Sequence, residues 1–174
     1  MLPAVTDLQP PYTHHIAAAE GWIELGNLNE ARAELAQIPE SERQHPEFLS
    51  VHWSLCAADQ NWAEALHVAA QLVEAVPDEH AGWLHQAYAL RRAPGGGLQA
   101  AWDCLFPALK KFPKVPIIPY NLACYACQLD RKEQARELLK SAMSTGKSSD
   151  AAHIKLIALQ DSDLEALWPE IREL

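Results

Sequence analysis

The residues of this chain best suited to redox or metal chemistry are Cys124 and Cys127, a CxxC pair. A redox pair of this kind needs its first cysteine at a helix N-terminus, which stabilises the thiolate. The surrounding pattern instead predicts that both cysteines lie inside a helix. A zinc site would need further ligands, and the sequence holds no second CxxC pair. We therefore expect two small groove or core residues, and a redox or metal role is the weakest alternative.

Other motifs of enzyme active sites are missing from the sequence. It contains no GxSxG nucleophile motif, no GxxxxGK[ST] or GxGxxG phosphate loop and no HExxH zinc motif. The histidines are scattered without ligand spacing, so we expect them to be solvated or packed. The glycine run at residues 95–97 follows no strand, and we interpret it as a loop between helices. We expect no enzymatic activity, no cofactor and no metal.

Charge and hydropathy exclude further classes of function. Lys and Arg total 14 against 23 Asp and Glu, a formal net charge of −9. Nucleic acid and anionic membranes repel such a chain, so we expect neither as a partner. The sequence has no run of 18 or more apolar residues, and its proline-containing residues 1–11 predict an extended segment and not a signal peptide. These features predict a cytoplasmic protein.

A repeat of about 34 residues organises the chain. Two anchor positions recur in each repeat: Ala19, Trp53, Ala87 and Ala123 in its first half, and Ala31, Ala65, Ala101 and Ala135 in its second half. Both series have spacings of 34 or 36 residues, and the extra two residues fall near the loop at 94–97. Trp53 stands where a small residue is expected, which indicates either a wider helix junction or a shift of register.

Each repeat is predicted to hold two helices joined by a tight turn. The predicted helices cover residues 11–25, 29–38, 48–59, 62–76, 81–92, 98–112, 119–129 and 132–144. Proline or glycine ends the second helix of each pair, at Pro39, Pro77, Pro113 and Gly146. A further helix is predicted at 150–159, and the polar residues 161–163 form an N-cap cluster before an apolar pattern that starts at Leu164.

These features resemble the tetratricopeptide repeat family. The resemblance is carried by Gly26-Asn27-Leu28-Asn29-Glu30-Ala31, Gln60-Asn61-Trp62-Ala63-Glu64-Ala65 and Asp130-Arg131-Lys132-Glu133-Gln134-Ala135, together with Trp83, Pro77 and Pro113. Pro119 and Lys147 depart from the family pattern. The resemblance implies an all-α fold: a right-handed α-solenoid of four repeats (12–45, 46–79, 80–114 and 115–147) closed by capping helices over 148–174. Residues 161–167 are also similar to the closing segment of some bacterial members.

The resemblance implies a concave groove that holds a peptide or a partner helix. The groove positions carried over are Glu20, Glu24, Glu47, Ser54, Leu84, Tyr88, Arg91, Arg92, Tyr120, Cys124 and Gln128. The set is acidic at one end and aromatic and basic near Arg91 and Arg92, so we expect the acidic or C-terminal end of a ligand there. The two arginines are explained equally well by a role at the helix C-terminus, where a positive charge interacts favourably with the helix dipole.

The function expected from the sequence is therefore a non-catalytic protein–protein interaction module. A structural scaffold that forms a homodimer is one alternative. A chaperone of the type III secretion kind is another, although such chaperones usually hold three repeats on a comparable length. An enzyme or redox factor that uses Cys124 and Cys127 ranks last.

Overall fold

The computed structural model describes residues 7–145 and 148–173, of which residues 148–150 are described as backbone only. Ten α-helices and two short 3-10 segments make up the described part of the chain, which contains no β-strand. The all-α class predicted from the sequence is therefore confirmed. Residues 1–6 of the predicted extended segment, and Gly146 and Lys147 at the end of the fourth repeat, lie outside the described residues.

None of the helices in residues 7–145 and 148–173 is long and apolar enough to cross a membrane.

The chain folds as two compact units that divide between Pro94 and Gly95. The first unit holds the 3-10 segment Glu40–Glu42 and the helices α1 (Tyr12–Glu24), α2 (Leu28–Ala36), α3 (Pro46–Ala58), α4 (Trp62–Ala75) and α5 (His80–Leu90). Helix α1 packs on α2, α3 on α4, and α4 on α5, while α1 and α2 both contact α3. Leu8, which precedes α1, is buried in the apolar core of this unit.

The second unit begins at Gly95. It holds the 3-10 segment Ser162–Leu167 and the helices α6 (Leu98–Lys111), α7 (Ile117–Gln128), α8 (Lys132–Thr145), α9 (Ser148–Ala158) and α10 (Trp168–Glu173). Helix α7 packs on α8, on α6 and on the 3-10 segment, and α9 packs on α8. The division between units falls inside the predicted third repeat, so its two helices, α5 and α6, belong to different units.

The predicted period is visible in the positions at which helices begin. Helices α1, α3 and α5 begin at residues 12, 46 and 80, a spacing of 34, and α2 and α4 begin at 28 and 62. Trp53 is the eighth residue of α3, as Ala19 is of α1, so the register does not shift at Trp53. The seven alanine anchors are all fully buried: Ala19, Ala31, Ala65, Ala87, Ala101, Ala123 and Ala135.

Three of the turns between paired helices share one backbone conformation. Gly26, Gln60 and Asp130 have φ values of +73°, +57° and +59°, the left-handed conformation that ends a helix. An asparagine N-cap follows in the first two turns. Asn27 Oδ1 accepts a hydrogen bond from the backbone N–H three residues later at 3.4 Å, and Asn61 Oδ1 does the same at 3.3 Å. The turn chemistry therefore repeats with the same period as the anchors.

Two of the differences between predicted and observed helix bounds have local reasons. Helix α7 begins at Ile117, two residues before the predicted Pro119, because proline is tolerated in the first turn of a helix. The apolar pattern that starts at Leu164 belongs first to a 3-10 segment and only from Trp168 to an α-helix. Asp161 caps that segment as predicted, since its Oδ1 accepts a hydrogen bond from the Asp163 N–H at 3.0 Å.

Candidate functional site

The candidate site lies on the first unit and consists of Trp53 of α3, Trp62 of α4, His85 and Tyr88 of α5, and Arg92 just beyond α5. We call these five residues the α5 cluster. Tyr88 and Arg92 are predicted groove residues, and Trp53 and His85 each adjoin a predicted groove residue in the sequence. The cluster therefore brings part of the predicted groove together with side chains that the prediction did not include.

Aromatic rings form the body of the α5 cluster. The Trp53 indole and the His85 imidazole stack face to face, with centroids 3.8 Å apart and ring planes 6° apart. The Tyr88 ring meets Trp53 edge-on at 6.0 Å and lies 5.8 Å from Trp62 at a tilted angle. Since aromatic pairs prefer edge-on or tilted arrangements at the distances that Tyr88 makes to Trp53 and Trp62, the Tyr88 ring connects the Trp53–His85 stack to Trp62.

Arg92 lies over this aromatic surface. Its guanidinium carbon is 3.6 Å from the centroid of the Tyr88 ring and 5.3 Å from that of Trp62. Its Nη1 also donates a hydrogen bond to the Tyr88 carbonyl at 3.1 Å. Arg92 is exposed, Tyr88 is 39% exposed, and no described carboxylate forms an ion pair with Arg92. The cluster thus presents a positioned cation and an aromatic ring to solvent.

Two polar atoms lie beneath this surface without a partner. Trp53 Nε1 and His85 Nδ1 are buried and have no hydrogen bond to any described residue. Burial, with a smaller contribution from the charge of His80, lowers the pKa of His85 to about 4. The imidazole is therefore neutral near pH 7, which permits its close stacking on Trp53.

Acidic residues lie at the N-terminal ends of α3 and α5, the ends away from Arg92. Glu47, Glu79 and Asp7 surround a depression of about 370 Å³ that Ser50 and Ala81 also line. Ser50 and Ala81 line this same depression, and further along the same helices Trp53 stacks on His85, so α3 and α5 run parallel. Within the first unit, charge therefore changes from acidic at Glu47, at the start of α3, to basic at Arg92, just after the end of α5, whereas Glu20 and Glu24, the other predicted acidic positions, lie in the last turns of α1.

The other predicted groove residues of the first unit have different surroundings. Glu20 and Glu24 are exposed on α1, and Leu84 is half-buried on α5. The Ser54 hydroxyl donates a hydrogen bond to the Ser50 carbonyl one turn earlier, at 3.1 Å. Arg91 is half-buried and is the C-cap residue of α5.

Two of the three predicted groove residues of α7, Tyr120 and Cys124, are buried under the chain's own C-terminal segment, whereas the third, Gln128, contacts that segment and remains exposed. The Tyr120 hydroxyl donates to Asp161 Oδ2 at 2.9 Å, and the Cys124 thiol donates to the same oxygen at 3.4 Å. Gln128 Nε2 donates to the Asp163 carbonyl at 3.0 Å. Tyr120 is only 7% exposed and Cys124 only 4%. These contacts occupy the α7 positions that the sequence assigned to a ligand.

The cysteines are arranged for packing. All four are in the thiol form, and Cys124 and Cys127 are buried inside α7, as the sequence predicted. Burial raises the pKa of the Cys127 thiol and raises that of Cys56 to about 11. Over the described residues, no group of three or more His, Cys, Asp or Glu side chains could hold a metal ion.

Sequence reasoning missed three contacts of this region. Trp62 is recognisable as a repeat position but not as a support for Arg92, and nothing in the sequence pairs Trp53 with His85. The 34-residue register is the sequence signal that could have indicated these contacts. It places Trp53 and Ala87 at equivalent positions of α3 and α5, so His85 and Tyr88, on either side of Ala87, are the residues of α5 nearest to Trp53. No sequence signal indicates that Asp161 binds α7 as well as capping its own segment.

No protein-family model matches this chain, and a search of curated proteins also gives no match.

Proposed function

We propose that this chain is a non-catalytic protein–protein interaction module and that the α5 cluster is its binding site. The observation that carries the proposal is the exposed guanidinium of Arg92, held on Tyr88 and Trp62 without a carboxylate partner among the described residues. Arginine, tyrosine and tryptophan are the residues that most often dominate the binding energy of protein interfaces. Their positions here are already fixed by stacking, which reduces the entropy lost on binding.

The partner is proposed to be a peptide or helix that runs along α5. An acidic side chain of the partner would accept hydrogen bonds from the Arg92 guanidinium, since charged arginine–carboxylate pairs are strong and directional. An apolar side chain would cover the Tyr88 ring. At the other end of α5, Glu47 and Glu79 favour a basic residue. Helix α5 has 11 residues and a length of roughly 16 Å, a distance that about five extended residues span.

We also propose that the helix pairs are tetratricopeptide repeats and that the repeats form a right-handed α-solenoid. Support comes from the 34-residue spacing of helix starts, the buried alanine anchors and the repeated left-handed turn. A further contact supports the assignment at the junction of the second and third repeats, where Trp83 Nε1 donates a hydrogen bond to the carbonyl of Pro77 at 3.2 Å. These two residues are the aromatic and the proline that carry the family resemblance.

A selection from a random peptide library displayed on phage tests the proposed function. The full chain is the bait, and the Arg92→Glu variant is screened in parallel. Peptides enriched on the unaltered chain are expected to bind Arg92→Glu at least about tenfold more weakly, because the variant replaces an attraction by a repulsion. Arg172→Glu is the matched control, since Arg172 is exposed on α10 and undergoes the same change of charge. Equal binding to the unaltered chain and to Arg92→Glu would exclude the α5 cluster as the site.

A further inference from the structure

We infer that the α5 cluster binds a helical turn that begins with an acidic N-cap residue and carries an apolar residue three positions later. The inference rests on the proposed function and adds the chemistry of the partner. It comes from the second unit, where the chain's own residues 161–167 form a turn of this kind on α7. We use the contacts of that segment with α7 to infer which ligand the equivalent positions of α5 bind.

Helices α5 and α7 correspond residue by residue through a shared register. Ala87 and Ala123 are the matching anchors, 36 residues apart, and both are fully buried. The same offset aligns three pairs of predicted groove positions: Leu84 with Tyr120, Tyr88 with Cys124, and Arg92 with Gln128. The same three positions therefore recur at successive turns of the two segments, although Arg92 lies just beyond the end of α5 whereas Gln128 is the last residue of α7.

On α7 these three positions bind one short acidic turn. A single carboxylate, that of Asp161, accepts from the Asp163 N–H and so caps its own turn, and its other oxygen accepts from the Tyr120 hydroxyl and the Cys124 thiol. Leu164, three residues after the cap, is fully buried. The α7 face thus recognises an N-cap carboxylate together with the apolar residue of the first turn.

On α5 two of the three positions, Tyr88 and Arg92, carry donors and are exposed, whereas the third, Leu84, is apolar and half-buried. The thiol of Cys124 is a weak donor, whereas the aligned Tyr88 carries a hydroxyl and the aligned Arg92 replaces the neutral amide of Gln128 by a guanidinium. Tyr88 is 39% exposed, against 4% for Cys124. The rings of Tyr88 and Trp62 supply an apolar surface beside the charge. The α7 positions that hold the Asp161 carboxylate align with Leu84 and Tyr88, and Arg92 adds a cation one turn beyond Tyr88, where Gln128 donates to the Asp163 carbonyl on α7.

The probe for this inference is a synthetic peptide with the sequence of residues 159–173, titrated into the isotope-labelled full chain and followed by NMR. Saturable shifts of the backbone amides of residues 84–92 are expected. The affinity should fall about tenfold when the peptide carries Asp161→Asn, and by a similar factor when the protein carries Arg92→Gln. Arg172→Gln in the protein is the control and should leave the affinity unchanged.

Three results would overturn the inference. They are the absence of shifts, equal affinity for the peptides with and without the Asp161→Asn substitution, and shifts confined to α7, which would mean exchange with the chain's own segment. The phage selection separates this failure from that of the proposed function. If selected peptides depend on Arg92 but lack an acidic residue followed three positions later by an apolar one, the inference fails and the proposed function stands. If no selected peptide depends on Arg92, both fail.

Discussion

Trp53 and His85 stack face to face across α3 and α5, with ring centroids 3.8 Å apart. Trp53 occupies an anchor position that is alanine in the other three repeats. The large ring is accommodated because it lies flat on an imidazole whose charge is suppressed by burial. Protonation would place a cation with an unpartnered Nδ1 in this buried contact. The stack therefore couples the stability of the first unit to pH.

The free energy of unfolding should fall as the pH is lowered from about 6.5 to about 4. Burial holds the pKa of His85 at about 4, below its ordinary value of 6.5, so the unfolded chain binds the proton first. The stabilisation is complete above pH 6.5 and is lost progressively towards pH 4, by roughly 3 kcal/mol for this group. Urea unfolding followed by circular dichroism at a series of pH values measures the change.

His85→Phe tests the assignment, because it keeps a ring on Trp53 and removes the titrating group. The variant should lose most of the pH dependence between 6.5 and 4, and a smaller dependence remains because burial also lowers the pKa of His52. His14→Gln, at an exposed position of α1, is the control and should follow the unaltered chain. An unchanged pH profile in His85→Phe would show that another group is responsible.

Gly82→Ala should destabilise the first unit by about 1–2 kcal/mol, although alanine favours helix. A Cβ at Gly82 would lie 3.0 Å from Val73 Cγ2 and 3.1 Å from the Val73 backbone nitrogen, so α4 and α5 would have to separate. Gly21→Ala is the matched control on α1, where a Cβ meets nothing within 4 Å. That variant should gain roughly 0.5–1 kcal/mol. Thermal unfolding of both variants measures the difference, and equal effects would contradict close packing at Gly82.

Gln60→Gly should stabilise the turn between α3 and α4 by about 1 kcal/mol, because Gln60 holds a φ of +57° that only glycine adopts without strain. The reverse change at the equivalent turn, Gly26→Gln, should destabilise by a similar amount. A Cβ at Gly26 meets nothing within 4 Å, so its effect would come from the backbone alone. Urea unfolding measures both. Opposite signs support a shared turn, whereas a loss of stability in Gln60→Gly would contradict it.

The fold was more predictable than the site because it depends on local signals. Proline and glycine positions, asparagine caps and the 34-residue spacing determine where helices begin and end, and most predicted bounds lie within about two residues of the observed ones. The division of the third repeat between two units was not predictable in this way. The sequence identifies the loop at residues 94–97 as an insertion, but the consequence for helix pairing depends on tertiary contacts.

The site was predictable only in part because register assigns a residue to a face but not to a neighbour. Tyr88 and Arg92 do lie on an exposed surface, and the packing of His85 fits the expectation of a packed or solvated histidine. The covering of Tyr120 and Cys124 by Asp161 could not be predicted, since the contact joins residues about 40 positions apart. From the sequence, Asp161 is recognisable only as a helix cap and not as a hydrogen-bond acceptor for α7.

The four thiols should react slowly in the folded protein. Burial raises the pKa of Cys56 to about 11 and also raises that of Cys104 and Cys127, so the reactive thiolate is scarce. At pH 8, reaction with a disulfide reagent should be at least about tenfold slower than in the urea-unfolded chain. Absorbance of the released thiol follows the rate. A fast-reacting pair that closes a Cys124–Cys127 disulfide would revive the redox alternative.

Tyr120→Phe should destabilise the second unit by about 1–2 kcal/mol, because it removes the hydroxyl that donates to Asp161 at 2.9 Å and leaves the carboxylate with a weaker donor. Tyr12→Phe, at the start of α1, is the control and should change stability little. The decisive measurement is a double-mutant cycle with Asp161→Ala, read by urea unfolding. If Tyr120 and Asp161 act through their hydrogen bond, Tyr120→Phe should cost little once Asp161 is alanine. If the losses of stability in the two single variants add up in the double variant, Asp161 acts only as a cap. The Tyr120–Asp161 contact would then no longer support the inference that α7 binds an acidic turn.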